Sequence, residues 1–132
     1  MKTDVGARHP DPRVARVIGF FESLRPEDVQ RLRALYVDDA FFKDPFNEVR
    51  SREAVEGIFR HMFVALDGPR FVIVDALAQG DQCFLSWEFH FRMKRFDRSP
   101  QLIRGGTHIR FAPDGRIAMH RDYWDAAEEL YE

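Results

Sequence analysis

A chain of 132 residues with a formal net charge of −2 has the length of one domain, and its arginines are interspersed with Asp and Glu, which leaves no basic footprint for nucleic acid. A single cysteine, Cys83, excludes an internal disulfide framework; no apolar run approaches a membrane span, and residues 1–12 lack the core of a signal peptide, so the expected compartment is the cytoplasm. Hydrophobic residues at 45% and aromatic residues at 14%, including thirteen Phe, suit a sheet wrapped around a lined cavity as well as a solid core.

Residues 1–12 read as a loose arm with His9 exposed. From Arg13 the apolar positions Val14, Val17, Ile18, Phe21 and Leu24 recur at helical spacing, and that helix ends near Arg25. Pro26 begins a second helix with Glu27 and Asp28 at its positive end and a buried stripe of Val29, Leu32, Leu35 and Tyr36, stopping near Val37. A short strand comes next over 40–43, and Pro45 forces Asp44 into an extended conformation at its end. Ser51 caps a third helix whose apolar stripe is Val55, Ile58, Phe59, Met62 and Phe63, with His61 off the stripe.

After Gly68-Pro69 the period changes to two. Strands are expected over 70–78, 82–96, 101–111 and 116–125, with turns at 79–81, 97–100 and 112–115, and Asp125 capping a helical turn over 126–131. The second of these strands has an oily face of Cys83, Leu85, Trp87, Phe89, Phe91 and Met93, which must be covered. Cys83 reads as a small buried hydrophobe in that row. The order predicts an α+β fold, three helices on one face of a strongly bent, mainly antiparallel sheet.

The last strand sets His120, Asp122 and Trp124 at alternate positions, hence on one face: a proton shuttle, a charge and an apolar wall. Equally, Trp124 is a core anchor and the other two pair with neighbouring strands. Asp44, His120 and Asp122 are the acid–base candidates, since a carboxylate walled in by aromatic rings has its pKa raised by desolvation; for Asp44 the alternative is a turn residue. A hairpin centred near Arg98 would bring His90 and His108 close, but Glu88, Arg92, Arg104 and Arg110 share their face, which favours a charged outer face or a subunit interface over a metal site. Gly105-Gly106 mark a bulge or a close backbone approach rather than a nucleotide loop.

The last hairpin leaves two pairings open. A two-residue loop at Pro113-Asp114 sets Thr107 opposite His120 and Gly105 opposite Asp122, whereas a three-residue loop sets His120 opposite His108. Alternation by itself favours Ile117, Met119 and Tyr123 as the buried set.

The element order, with L-Y-V-D-D-A-F-F-K-D-P-F at Leu35 to Phe46, P-D-G-R-I at Pro113 to Ile117 and D-Y-W-D at Asp122 to Asp125, resembles the NTF2-like superfamily, and within it the SnoaL-like and ketosteroid-isomerase-like branch. The resemblance runs from about Arg13 to Asp125. It implies a conical α+β fold in which a mixed sheet encloses a pocket. Asp44 stands at the position of the ketosteroid isomerase proton-transfer aspartate, but that family's two oxyanion donors correspond to Phe20 and Thr107, which disfavours a steroid isomerase. In SnoaL-like cyclases the last strand supplies a pocket aspartate, and the same direction turns His120, Asp122 and Trp124 inward. The implied cavity is lined by Phe20, Tyr36, Phe59, Trp87 and Trp124, with Asp44, Thr107, His120 and Asp122 as its polar groups. The resemblance also implies a small hydrophobic ligand. It fits either an enzyme without cofactor or metal, isomerising or cyclising a hydrophobic carbonyl compound by acid–base chemistry, or a non-catalytic ligand-binding or dimerisation domain. A homodimer through the outer face of the sheet is expected in either case.

Overall fold

Residues 9–125 are described in the computed structural model, and the first regular element is set by Asp11. Its carboxylate accepts from the backbone N–H of Arg13 at 2.9 Å, and Pro12 occupies the first turn, where a missing N–H breaks no helical bond. Helix α1 (Pro12–Glu22) therefore starts before Arg13, and Pro12 belongs to it rather than to the arm. His9 is partly buried rather than exposed, its Nδ1 accepting from the Asp11 N–H at 3.0 Å. The rest of the expected arm and the helical turn over 126–131 lie outside the described residues.

Pro26–Arg31 form a 3₁₀ helix that runs into a single turn, α2 (Leu32–Leu35). Helical structure stops at Leu35, because Tyr36 opens strand β1 (Tyr36–Lys43) and pairs with Ile117. Tyr36 is thus a strand residue, fully buried, and not the last member of a helical stripe. A two-residue strand β2 (Glu48–Val49) precedes α3 (Arg52–Ala65), which Ser51 caps by accepting from the Ala54 N–H at 3.1 Å. Helix α3 buries Val55 and Phe59 as its spacing predicts, and also Glu56. The Glu56 carboxylate is bonded by Arg60 and Arg33, and these guanidinium groups hold it below the usual carboxylate range.

The remaining strands are β3 (Leu66–Gln79), β4 (Gln82–Met93), β5 (Gln101–Phe111) and β6 (Ile117–Tyr123). Among the described residues one six-stranded sheet results, in the order β2-β1-β6-β5-β4-β3, in which only β1 and β6 run parallel. Irregularities in β3 between Asp67 and Arg70 and between Ile73 and Asp75 curl the sheet, as bulges do. Helix α1 packs on β3, and α3 on β1 and β3, so the three helices close one face of the sheet into a cone. The oily face of β4 is covered over most of its length: Cys83, Leu85, Trp87 and Phe91 are buried and Phe89 partly so, whereas Met93, the last residue of the strand, is exposed. Burial pushes the Cys83 thiol up to about 12, which makes it an inert hydrophobe.

Candidate functional site

The site depends on one extra residue in β6. Phe111 pairs with Ile117 but Arg110 with Met119, so Ala118 is inserted into the last strand as a bulge. The insertion resets the alternation. Ile117 and His120, three apart, both point into the core, while Met119 is half-buried and Tyr123 exposed. Neither expected pairing occurs: His120 lies opposite Ile109, and Thr107 opposite Asp122. That register keeps the face of the two-residue loop and slides it by two residues, which brings Thr107, His120 and Asp122 together.

These residues form a continuous chain of hydrogen bonds. The indole N–H of Trp87 donates to Thr107 Oγ1 at 2.7 Å, and the Thr107 hydroxyl donates to Asp122 Oδ1 at 2.6 Å. His120 Nε2 lies 2.8 Å from the same oxygen, and Tyr36 OH lies 2.6 Å from His120 Nδ1. Complete burial of Tyr36, helped by the negative charge of Asp122, pushes its phenol well above the ordinary value of about 10. Tyr36 therefore keeps its proton, and its hydroxyl and His120 Nδ1 share one hydrogen bond, while Nε2 on the other side of the ring faces Asp122. Thr107 and His120 thus converge on a single carboxylate oxygen. Asp122 Oδ2 takes part in none of these bonds.

The Tyr36 phenol has a testable consequence. In the unfolded chain it ionises near pH 10, in the folded chain only well above that, so above pH 10 the unfolded state binds fewer protons and stability falls as pH rises. A spectrophotometric titration is expected to leave one of the three tyrosines un-ionised until the protein unfolds in alkali. Ionisation of all three in the folded state would contradict the burial.

An inner cavity of about 20 Å³ adjoins this chain, with Thr107, His120 and Asp122 on its polar side and Phe21, Phe59, Phe71 and Trp87 among its aromatic walls. That is room for about one water molecule. The expected residues Phe59, Trp87, Thr107, His120 and Asp122 meet at this cavity, and Tyr36 stands behind His120 as its hydrogen-bond partner. Phe20 does not reach it: adjacent on α1, Phe21 lines the wall instead, and Phe20 lines a separate groove on the helical side. Trp124 lies past the end of β6, where strand alternation no longer directs it, and packs edge-on against Phe46 with ring centroids 5.5 Å apart.

Asp44 also stays outside the cavity. It lies just after β1, and its Oδ1 accepts from the backbone N–H groups of Phe46 at 2.8 Å and Asn47 at 2.6 Å, so its carboxylate ties a turn. Asp44, Asp122 and Trp124 share a surface groove of about 510 Å³, and Asp122, with 18% of its side chain exposed, lines both that groove and the inner cavity.

His90 and His108 are not brought together. The β4–β5 register places His90 opposite Leu102 and His108 opposite Phe84, because the hairpin is centred nearer Phe96 than Arg98. His90 bonds Glu88 and His108 bonds Gln82. Gly105 marks the close approach expected of it: a Cβ there would sit 2.5 Å from the Trp87 ring, so only glycine lets that indole cross the strand to reach Thr107. Sequence reasoning passes over Phe21 and Phe71 as cavity residues, since a phenylalanine facing a cavity carries the same periodic signal as one in a solid core.

Three helices on a curled mixed sheet, with a polar cluster at the inner face of the last strand, define an α+β cone of the NTF2-like kind. The SnoaL-like domain family model matches residues 17–120, and the chain belongs to that family. No curated protein matches the sequence. Among solved structures the chain is similar to a Catenulispora acidiphila DSM 44928 protein of ketosteroid isomerase-like fold in complex with trimethylamine, at TM-score 0.76 and 16% identity over 92% of this chain and 91% of that one. It is also similar to an LEH-like epoxide hydrolase of M. tuberculosis, at TM-score 0.74 and 20% identity over 90% and 86% of the two chains. A third likeness is to an NTF2-like protein of unknown function from Burkholderia pseudomallei K96243, at TM-score 0.77 and 15% identity over 90% and 95%. Identities this low show the fold alone. Among the described residues no helix is long and apolar enough to cross a membrane.

Proposed function

We propose that the chain is a cofactor-independent acid–base enzyme that isomerises or cyclises a small hydrophobic carbonyl compound, with Asp122 as its base. The observation that carries this reading is the asymmetry of one carboxylate: Oδ1 accepts from Thr107 and from His120, while Oδ2 is free of both. Oδ2 takes a proton from the carbon next to the substrate carbonyl, and the C–H electron pair moves into a carbon–carbon bond as the carbonyl oxygen becomes an enolate. The proton returns from Asp122 to a different carbon, which balances an isomerisation. His120 and Thr107 hold the carboxylate in place, Tyr36 holds His120, and Phe59 and Trp87 supply the apolar wall. Asp44 has no part in the proton transfer, because its own turn occupies its carboxylate. Trimethylamine bound to a protein of this fold lends support to a small ligand here.

A second reading, a non-catalytic dimerisation domain, is favoured by the exposed apolar outer face of the sheet, where Leu77 is 73% and Tyr123 46% accessible, and by the smallness of the inner cavity.

Exchange of α-hydrogens for deuterium in a panel of hydrophobic ketones and enones separates the two. The enzyme reading expects exchange above the buffer rate and a loss of about a hundredfold or more in Asp122→Asn, with the circular dichroism of the fold retained. Unchanged exchange in Asp122→Asn removes Asp122 as base. No exchange by the wild type, with sedimentation as a dimer, replaces the enzyme by the second reading.

A further inference from the structure

The helical side of the fold carries a groove of about 540 Å³ that shares no lining residue with the inner cavity. Its volume lies in the range of about 300–1,000 Å³ that takes a drug-sized molecule. Phe20 and Ala34 contribute its apolar floor, with the buried Leu35 beneath them, and Arg16, Arg31 and Arg33 line its rim together with one carboxylate, Asp28. Phe20 stands off the buried stripe of α1, its ring set edge-on against Phe21 with centroids 5.3 Å apart and the remainder left to the groove.

Charge on the rim is unbalanced. Arg16 donates to the carbonyl oxygen of Gly115 at 2.6 Å, a neutral partner that leaves its charge uncompensated. Arg33 bonds Glu56 at 3.1 Å, but the same carboxylate also answers Arg60, one anion for two guanidinium groups. Arg31 faces Asp28 only loosely, at 3.4 Å. An apolar floor under surplus positive charge fits a molecule with an apolar body and an acidic end.

We propose that this groove binds an amphipathic anion, an aromatic or acyl carboxylate whose body lies on Phe20 and Ala34 and whose charge is met by the rim. Arg16 is the principal contact, since among the described residues no carboxylate competes for it and a guanidinium presents a planar fork of donors to a carboxylate. The site is independent of chemistry at Asp122: a binding-only protein and an enzyme would hold it alike.

The test uses the full chain, with naphthoate and its neutral amide as probes, calorimetry for affinity and amide NMR shifts for location. Naphthoate is expected to bind about tenfold or more tighter than the amide, as a charge-assisted hydrogen bond implies, to shift Gly19, Phe20 and Ala34, and to weaken as salt is raised. Arg16→Gln is expected to lower naphthoate affinity about tenfold while leaving the amide unchanged. Because Arg16 also ties Gly115, Phe20→Ala serves as a second variant and weakens both probes. Asp122→Asn leaves both affinities as they were, which separates this site from the one at Asp122. Equal affinities for acid and amide, shifts confined to the Asp122 cluster, unaltered naphthoate binding in Arg16→Gln, or no binding of either probe would each overturn the assignment.

Discussion

His120→Ala is expected to lower the free energy of unfolding by about 3–5 kcal/mol, the range for emptying a buried aromatic-sized site. The imidazole is 4% exposed and packed among rings, with centroids 4.7 Å from Phe42 and 6.0 Å from both Tyr36 and Phe21. Its removal leaves a hole beside a cavity already about 20 Å³ in volume and strips the buried Tyr36 hydroxyl of its hydrogen-bond partner. An orphaned buried hydroxyl costs about 1–3 kcal/mol. Water admitted to the enlarged cavity offsets part of this, which keeps the expectation from exceeding the range. His120→Phe separates the two contributions, since it retains the volume and loses only the hydrogen bonds, so its cost is expected to be about 1–3 kcal/mol. In a cycle with Tyr36→Phe the two losses should be less than additive, because either substitution breaks the same 2.6 Å bond. Urea unfolding of the wild type, the three single variants and the His120→Phe/Tyr36→Phe double variant measures all of this. A His120→Phe variant as stable as the wild type would show that the polar chain does not hold the fold together.

What is legible in the sequence is what local periodicity controls. The apolar stripes of α1 and α3 and the oily row of β4 are set by neighbours a few residues apart, and they stand where the spacing places them. Tyr36 carries a helical signal because it continues the stripe begun by Leu32 and Leu35; only its pairing with Ile117, at the far end of the chain, claims it for β1. The last strand departs from its pattern by one residue. With Ala118 inserted, a reading in steps of two picks Met119 and Tyr123 for the interior, and only family resemblance turns His120 and Asp122 inward. The same resemblance chooses Phe20 for the cavity, although the helical stripe already places its neighbour Phe21 toward the core. Trp124 and Asp44 both lie just past strand ends, where the side-chain direction is set by the loop and not by alternation. For Asp44 the decisive partner is Asn47, whose backbone and side-chain N–H groups both bond the carboxylate. Hairpin register is beyond reach as well: a shift in the centre of the β4–β5 turn is enough to separate His90 from His108.

Phe59→Ala is expected to cost about 3–5 kcal/mol and in return to make the inner cavity able to hold a ligand. Phe59 is 5% exposed, and its ring lies 5.6 Å from that of Phe21 and 6.1 Å from that of Phe42, so its loss removes one aromatic wall of the space next to Asp122. A cavity on the order of 150 Å³ accepts a molecule of benzene size, and here the carbonyl of a ligand can replace water on the polar side formed by Thr107, His120 and Asp122. A cyclic ketone of similar size is therefore expected to raise the melting temperature of Phe59→Ala, by an amount equivalent to about 2.7 kcal/mol at a hundredfold excess over its Kd. The comparison with wild type decides how a substrate reaches the base. Stabilisation confined to the variant means that Phe59 keeps the resting cavity shut against a molecule of this size. Stabilisation of both means that the aromatic wall moves readily in the native protein and that the small inner volume is a resting state. If the ketone stabilises neither, the wall collapses into the space left by Phe59. Asp122 is then approached through the surface groove that it shares with Asp44 and Trp124, from which its side chain is already exposed.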